Sequence, residues 1–165
     1  MAKTKSAKLD ENFFATNAEE VARRLLGMYL VRTFKKGSVV EGQIHEVAAY
    51  EGRSKTAYKG INYAPCVISV STKYGKNLID IATGIKDKPS CVTLVSALFD
   101  WDTEKQLVQG PGNLSRALRV DRSFDGLLIN GDEFWVEARE TYVGEIRKRH
   151  RKDLPPNCKG YFYIP

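Results

Sequence analysis

Tyr74 stands beside Gly75 and between Lys73 and Lys76, at the centre of a predicted hairpin. A tyrosine at a hairpin tip is poorly placed to join a core, because the tip projects away from the sheet. Its ring can instead stack on a nucleic acid base while the lysines attract the phosphates on either side. The spacing therefore favours contact with nucleic acid and entry of Tyr74 into a duplex. Half-buried packing is the alternative for the other tyrosines near predicted loops, which are Tyr50, Tyr58 and Tyr63.

A dense basic run near the C-terminus reads Arg147-Lys148-Arg149-His150-Arg151-Lys152. The chain carries 26 Lys and Arg against 20 Asp and Glu, a net charge of +6, with a pI of about 9.2. Such a run can neutralise a phosphate backbone, and about five phosphate contacts would give a log-affinity slope of about −4 to −5 against log salt. The alternative is a solvated surface loop with no polyanionic partner.

The sequence predicts no metal ion and no cofactor. Its two histidines, His45 and His150, are far apart in the chain. Glu46 follows His45 directly, so on a strand the two side chains would point to opposite faces. Neither of the glycine-rich loops that bind nucleotide phosphates is present in the sequence. We therefore expect chemistry that uses the side chains alone.

Cysteine usage and hydropathy indicate an intracellular chain without a membrane segment. Cys66, Cys91 and Cys158 form no Cys-x-x-Cys pair, which excludes a disulfide scaffold and a zinc ribbon and is typical of a reducing compartment. Cys91 lies in an apolar segment and is predicted to be buried. Residues 1–9 contain lysines but no apolar region after them, unlike a secretory signal. No stretch approaches the roughly 18 apolar residues that a membrane helix needs.

One amphipathic helix is predicted over residues 17–27. Asn17 is a plausible N-cap, Glu20 completes a capping box three residues later, and Gly27 is placed to end the helix. A second, short helix is predicted to follow Gly110-Pro111-Gly112. These are the only helices that the pattern favours.

The remaining predicted elements are strands joined by tight turns. Turn residues at 36–38 and 74–76 predict two hairpins, and residues 52–64 predict a polar loop. The predicted strands cover residues 28–35, 39–50, 67–74, 77–82, 91–98, 134–137 and 161–164. A chain of 165 residues with this pattern is predicted to be a single α+β domain with a mostly antiparallel sheet. We expect the domain to cover residues 12–165, after a disordered basic tail at 1–11.

Two segments in order resemble one known family. Residues 42–52 read Gly-Gln-Ile-His-Glu-Val-Ala-Ala-Tyr-Glu-Gly, and residues 110–118 read Gly-Pro-Gly-Asn-Leu-Ser-Arg-Ala-Leu. They resemble the Gly-Arg-Ile-Val-Glu-Thr-Glu-Ala-Tyr-Leu-Gly strand and the Gly-Pro-Gly-Lys-Leu helix start of the alkyladenine (3-methyladenine, methylpurine) DNA glycosylase family. Residues 56–60, Thr-Ala-Tyr-Lys-Gly, are similar to its His-Ala-Tyr-Arg-Gly. The resemblance covers nearly the whole chain from Asn12, and it implies a curved sheet with a few short helices in a monomer.

The resemblance also implies base-excision chemistry on double-stranded DNA. Enzymes of this family turn an alkylated or deaminated purine out of the duplex and hydrolyse its N-glycosidic bond with water. Tyr74 matches the tyrosine that fills the vacated space, and Gly75 matches the glycine after it. Tyr50 matches the tyrosine that stacks on the flipped base.

Ala48 takes the position of the glutamate that activates water in the family pattern. An alanine accepts no proton, and loss of a general base costs about 100- to 10,000-fold in rate. Glu46 is a possible substitute on the same strand face, but it lies about 6.6 Å further along the strand. Glu51 is predicted to point to the opposite face. We favour a true loss of the base over rescue by Glu46.

Other pocket positions depart from the family pattern as well. The pocket histidine falls on Thr56, and the asparagine that discriminates between purines falls near Asp80. A pocket aromatic falls on Ser71, and an arginine falls on Val95 or Ser96. Several departures together indicate a pocket that has changed in specificity or in activity.

Three functions remain open from the sequence. The leading one is a DNA glycosylase that acts on damaged purines. The second is a catalytically inactive DNA- or RNA-binding protein on the same fold. The third is a protein that docks on a ribonucleoprotein through its basic surface. Whether the chain is an enzyme is therefore open, and its compartment is the nucleus or a bacterial or archaeal cytoplasm.

Overall fold

A computed structural model describes residues 7–52, 63–84, 90–101, 104–141, 143–152 and 154–165. Within these ranges ten strands form one curled antiparallel sheet, and three helices pack against it. The strands are β1 (Ala7–Lys8), β2 (Tyr29–Thr33), β3 (Val39–Glu51), β4 (Ile68–Lys73), β5 (Lys76–Thr83), β6 (Ser90–Trp101), β7 (Glu104–Gln109), β8 (Phe134–Ala138), β9 (Arg147–Arg149) and β10 (Cys158–Tyr163). The helices are α1 (Glu11–Phe14), α2 (Ala18–Leu25) and α3 (Pro111–Leu118). The predicted α+β class is confirmed.

The sheet runs in the order β1-β8-β2-β3-β6-β5-β4. Strand β7 pairs with the end of β6, while β10 pairs with β3 and carries β9 at its outer edge. The long strands β3 and β6 form the centre, and both hairpins that the turn residues predicted are present. The sheet therefore brings segments from both halves of the chain against β3.

A double irregularity in the centre of the sheet decides which β3 side chains face the core. The register between β3 and β6 shifts twice, between Ile44 and Glu46 and again between Glu46 and Val47. Such bulges re-aim the side chains that follow them. As a result Ile44, Val47 and Ala49 all join the buried apolar cluster, and strand alternation sends Glu46, Ala48 and Tyr50 to the other face.

Helix α2 covers the core face of β3 and begins as the sequence predicts. The Asn17 side chain accepts a hydrogen bond from the Glu20 amide at 2.8 Å. The Glu51 carboxylate also accepts from the Ala18 amide, at 2.6 Å, where a negative charge is favoured by the helix dipole. Glu51 therefore lies on the helix side of the sheet, as predicted, and it takes no part in the opposite face.

Helix α3 and a close backbone contact complete the core. Leu114 and Leu118 of α3 are fully buried, and the Ser115 hydroxyl donates to the Asn77 carbonyl of β5 at 2.8 Å. A Cβ on Gly42 would meet the ring of Phe99 at 2.7 Å, so a glycine is required where β3 passes this ring. The core thus lies on one face of the sheet, and the other face is left for a site.

Three segments differ from the sequence expectations. Ala7–Lys8, assigned to the tail, pair with β8, and Leu9 is buried. Residues 104–109 form β7 beside β6, although their composition is polar. Arg147–Arg149 form the edge strand β9, where a loop was one alternative. Short edge strands carry little periodicity, so the pattern alone does not identify them. Residues 1–6 and most of the predicted 52–64 loop lie outside the described residues.

No helix in the described part of the chain is both long enough and apolar enough to cross a membrane.

Candidate active site

One row of side chains crosses the sheet on the face opposite the core. Cross-strand pairing places Arg149 (β9), Tyr161 (β10), Ala48 (β3), Thr93 (β6) and Asp80 (β5) opposite one another in that order. Side chains directly opposite in an antiparallel sheet lie on the same face, with Cβ atoms about 5 Å apart. The fold therefore assembles five segments that are distant in sequence into one continuous polar strip.

Tyr50 lies next to this row, two residues from Ala48 on β3. Its cross-strand neighbours are Cys91 on β6 and Cys158 on β10. The Tyr50 hydroxyl is 3.2 Å from the Tyr161 hydroxyl. Burial raises the pKa of the Tyr50 phenol, and the hydrogen bond with Tyr161 raises it further. Tyr50 is thus a neutral, half-buried ring held in place at its hydroxyl, as a stacking platform requires.

Ala48 is fully buried between Tyr161 and Thr93. Its methyl group offers no proton acceptor. The carboxylates on this face of the described sheet that are nearest to it are Glu46, two residues along β3, and Asp80, two strands away. Two strand spacings amount to about 10 Å between Cα atoms. Neither carboxylate therefore occupies the place of a glutamate at position 48.

Glu46 is engaged at both of its carboxylate oxygens. The Arg149 Nε donates to one oxygen at 2.7 Å, and the Ser96 hydroxyl donates to the other at 3.3 Å. The Glu46 side chain is 9% exposed. The hydrogen bond to Glu46 raises the pKa of the Arg149 guanidinium, and that guanidinium also stacks 4.4 Å from the Tyr163 ring centroid. This geometry favours an ion-paired Glu46 over one that holds a water molecule.

Replacing Glu46 by glutamine tests whether Glu46 serves as an ion-pair partner of Arg149 or as a proton acceptor for water. We expect Glu46→Gln to lower the free energy of unfolding by about 1 kcal/mol, because the charged hydrogen bond is lost while Arg149 keeps partial contact with water. The excision of damaged purines that the family resemblance implies should not change. Thermal or urea unfolding and an excision assay measure the two effects. Glu145→Gln is the control, since its pair with Arg147 is exposed and should contribute nothing measurable. Loss of excision in Glu46→Gln would instead identify Glu46 as the substitute base.

Asp80 is a buried carboxyl at the other end of the row. It is 8% exposed, and the Thr93 hydroxyl donates to its Oδ1 at 2.5 Å. Burial raises the pKa of Asp80 to about 6, although the hydrogen bond from Thr93 acts in the opposite direction. Asp80 and Tyr50 are close enough for the carboxylate to contribute to the raised pKa of the phenol. Tyr50 and Asp80 therefore lie near each other on one face of the sheet, whereas Thr56, which the sequence predicts in the same pocket, lies outside the described residues.

Tyr74 occupies the two-residue turn between β4 and β5 together with Gly75. Its side chain is 93% exposed, and the Lys73 Nζ lies 5.7 Å from its ring centroid. Both turn residues have a left-handed backbone, with φ of 51° at Tyr74 and 73° at Gly75. Such a backbone suits glycine but costs a bulky side chain about 1–2 kcal/mol. A large exposed ring held in a strained turn is typical of a functional position.

Two further candidate residues follow the tip along β5. Lys76, the first residue of β5, is exposed, and its side chain packs beside Gly112 at the start of α3. Asp80 lies four residues further along β5, about 13 Å by strand rise. One strand therefore carries both the projecting tip and a residue of the pocket.

The basic run divides between the two faces of the sheet. Arg147 and Arg149 lie opposite Tyr163 and Tyr161, on the face of Ala48. Lys148 lies opposite Phe162, a residue of the apolar core. The sequence predicts one basic patch, but strand pairing places Lys148 on the opposite face of the sheet from Arg147 and Arg149.

Arg151 follows β9 and extends the arginine side of the pocket. Its guanidinium lies 4.2 Å from the Tyr161 ring centroid. Arg149 stacks on Tyr163 and Arg151 on Tyr161, and Tyr161 is the cross-strand neighbour of Ala48. Two arginines that the sequence predicts to bind phosphate therefore lie beside the polar strip.

Sequence reasoning did not identify Tyr161 or Thr93 as site residues. Tyr161, Phe162 and Tyr163 alternate between the two faces, and this period of two is a signal that could have placed Tyr161 on the polar face. Thr93 lies in the apolar β6, where nothing in the local sequence marks it. Cys91 is buried as predicted, yet it faces Tyr50.

Among the residues that the structure describes, no three or more His, Cys, Asp and Glu side chains are grouped so as to hold a metal ion. His45 is partly buried, which lowers the pKa of its imidazole.

Comparison with known proteins identifies the family of this chain. The model of the methylpurine-DNA glycosylase (MPG) family matches residues 12–155. A protein of Synechococcus elongatus is 40% identical over 119 residues, which cover 66% of this chain and 61% of that protein. A protein of Anaeromyxobacter sp. is 34% identical over 143 residues (79% of this chain, 72% of that protein). A protein of Gloeobacter violaceus is 29% identical over 174 residues (89% and 80%). All three are named "Putative 3-methyladenine DNA glycosylase".

The match places this curled sheet in a family of DNA glycosylases. The chain belongs to the methylpurine-DNA glycosylase family.

Proposed function

We propose that this protein binds damaged duplex DNA, turns a modified purine into the pocket at Tyr50, and hydrolyses its N-glycosidic bond without a general base at position 48. The observation that carries the proposal is the row Tyr161–Ala48–Thr93 beside Tyr50, an aromatic surface with a methyl group where the family pattern has a carboxylate. The shared family supports DNA as the substrate.

The reaction requires no cofactor. The oxygen of a water molecule bonds to C1′ of the sugar while the bond from C1′ to the purine nitrogen breaks and its electron pair passes to the base. The proton of the water is released, and in this chain it passes to solvent because Ala48 cannot accept it. The missing acceptor predicts a rate lower by about 100- to 10,000-fold than that of an enzyme with a placed base.

Damaged purines differ in how much their release depends on a general base. An N-alkylated purine such as 3-methyladenine carries a positive charge and leaves as a neutral molecule. Hypoxanthine is neutral and leaves as an anion unless it is protonated. Loss of the general base therefore affects cationic purines least, and we expect the remaining activity to favour them.

The experiment is an excision assay on matched duplexes. Each contains 7-methylguanine, 3-methyladenine or hypoxanthine at one position, and release of the free base is measured. Release of an alkylated purine above the spontaneous rate supports a glycosylase. Binding of lesion-containing duplex without release of any base would support the second candidate, a binding protein that has lost catalysis. The engaged carboxylate of Glu46 favours this second candidate over rescue by Glu46.

The cellular compartment is inferred from the organisms of the relatives and not from the chain itself. The organisms of the matching proteins are bacteria, so a bacterial cytoplasm is the proposed compartment and the nuclear alternative has no support. Monomeric action, and contact with RNA or a ribonucleoprotein, remain expectations from the sequence.

Salt dependence tests the basic surface. We expect duplex affinity to fall steeply with salt, and Arg147→Gln and Arg151→Gln each to reduce the slope of log affinity against log salt by about 1. Lys148→Gln is the matched control, because its strand position faces the core side of the sheet and its effect should be smaller. Fluorescence anisotropy at several salt concentrations measures the slopes.

A flat salt response, or no duplex binding, would contradict the nucleic acid interface. Tighter binding of duplex RNA than of duplex DNA would favour the ribonucleoprotein alternative.

A further inference from the structure

We propose that Asp80 makes the pocket selective for purines that carry a positive charge, the N-alkylpurinium bases, over neutral damaged purines. This inference rests on the proposed function, since it names the class of base that the Tyr50 pocket captures. Asp80 is assigned the role of a specificity-determining residue.

Asp80 is a buried carboxyl without a charged partner in the described parts of the chain. Asp80 is 8% exposed, and its hydrogen bond in the described structure comes from Thr93, a neutral group. No ion pair within the described parts of the chain includes Asp80, in contrast to Glu46 and Glu137, which pair with Arg149 and Arg139. Buried carboxylates are normally paired with a cation, because an isolated charge loses its hydration. A cationic ligand would supply the missing partner.

Tyr50 supplies an aromatic surface beside Asp80. Tyr50 lies on the same face, close enough for its phenol to be influenced by the Asp80 charge. Aromatic rings attract cations through their negative faces, most strongly where water is excluded. A purinium stacked on Tyr50 would therefore be stabilised by the ring and by the carboxylate together.

The Asp80 carboxylate also disfavours neutral purines. Hypoxanthine presents carbonyl and ring-nitrogen lone pairs along much of its edge. A carboxylate in a poorly hydrated site repels these lone pairs, and this effect is larger than in water because screening is weak. The same charge that attracts a purinium thus disfavours a neutral acceptor-rich base.

Charge movement during the reaction decides where Asp80 acts. As the bond to C1′ breaks, its electron pair neutralises the purinium, so the attraction to Asp80 decreases toward the transition state. Asp80 should therefore lower both KM and kcat for a cationic lesion, because an interaction that weakens toward the transition state stabilises the bound lesion more than the transition state. A residue that only supports the fold would not produce this parallel change.

The direct test compares Asp80→Asn with the unaltered protein on three duplexes. They contain 7-methylguanine, hypoxanthine or no lesion, and a 2′-fluorinated sugar at the lesion prevents release during the binding measurement. We expect Asp80→Asn to weaken binding of the 7-methylguanine duplex by about 10- to 100-fold, the range for a hydrogen bond to a charged group. Binding of the hypoxanthine duplex should be unchanged or tighter, and binding of undamaged duplex unchanged.

The asparagine keeps an acceptor for Thr93, and it removes a charge that burial disfavours. The thermal midpoint of Asp80→Asn at pH 7 should therefore rise, which separates a loss of selectivity from a loss of folding. Thr93→Val is the matched variant: it removes the hydrogen bond that lowers the pKa of Asp80, so it is measured at pH 8, where the carboxylate keeps its charge. Selectivity for the cationic lesion should persist in it.

A second measurement needs no variant. The pKa of Asp80, about 6, predicts that the affinity ratio of the 7-methylguanine to the hypoxanthine duplex falls between pH 7 and pH 5 as the carboxylate is protonated. The groups that face Asp80 from neighbouring strands are Thr93 and Cys91 on β6, Tyr50 on β3, Ser69 on β4, and Tyr161 and Cys158 on β10. Burial raises the pKa of Tyr50, Cys91 and Cys158, so these three stay neutral over this range. Titration of His45 acts on both duplexes alike and cancels in the ratio.

Equal losses on both lesions in Asp80→Asn, or an affinity ratio independent of pH, would overturn the inference while leaving the proposed function intact. If the unaltered protein bound no duplex at all, the proposed function would fail and this inference with it.

Discussion

Ala48→Glu is expected to raise the rate of hypoxanthine excision by about 100-fold or more, the contribution of a well-placed general base. Ala48 is flanked by Tyr161 and Thr93 and lies two residues from Tyr50. A carboxylate that projects from β3 at this point would reach the water on the sugar side of a base stacked on Tyr50. A smaller gain is expected for 7-methylguanine, whose departure depends less on a general base. Single-turnover assays on the two duplexes measure the difference.

Ala48→Gln is the matched control for this variant. It has nearly the same size and hydrogen-bonding reach as glutamate but a much weaker proton acceptor, so it should give no comparable gain. Burial and the Asp80 charge would both raise the pKa of the new carboxyl, and the gain should therefore increase with pH. If Ala48→Glu binds lesion-containing DNA and still excises nothing, the pocket itself has been lost and the inactive binding protein becomes the leading function.

Tyr74→Ala is expected to weaken binding of lesion-containing duplex by roughly 1–3 kcal/mol, the usual value of a base-stacking contact. Undamaged duplex should lose less, because the Tyr74 ring is needed only where a nucleotide has left the stack. Competition binding with paired duplexes that differ at one base measures the difference. Equal losses on both duplexes would mean that Tyr74 is an ordinary surface contact.

The same position offers a measurement that separates function from stability. Tyr74 holds a left-handed backbone, with φ of 51°, which asparagine adopts more readily than tyrosine. We expect Tyr74→Asn to raise the free energy of unfolding by about 1 kcal/mol while it weakens lesion binding as Tyr74→Ala does. A tyrosine kept for folding would show the opposite, a loss of stability with no change in binding.

Strong local patterns predicted the parts of the fold that position the site. Asn17 and Glu20 marked the start of α2, and the Tyr74-Gly75 turn marked the β4–β5 hairpin. Alternation along β3 placed Ala48 and Tyr50 on one face, and the double register shift lies before both, so it does not separate them. Local sequence was sufficient here because each signal involves residues within a few positions of one another.

Non-local pairing produced what the sequence did not predict. Arg149 pairs with Glu46 only because β9 joins β10 and β10 joins β3, 103 residues away in the chain. The same pairing places Tyr161 against Tyr50 and turns Lys148 away from the arginines beside it. From the sequence, Asp80 was only one of several positions that depart from the family pattern. Its burial and the lack of an ion pair in the described chain depend on strands that lie on both sides of it.

The most direct test of hydrolysis without a general base is the ratio of single-turnover excision rates on 7-methylguanine and hypoxanthine duplexes, measured with saturating unaltered protein. With Ala48 at this position, we expect slow but measurable release of the cationic purine and release of hypoxanthine that is lower by at least about 100-fold. Comparable and rapid release of both bases would contradict this expectation, because a proton acceptor would then have to operate in the pocket.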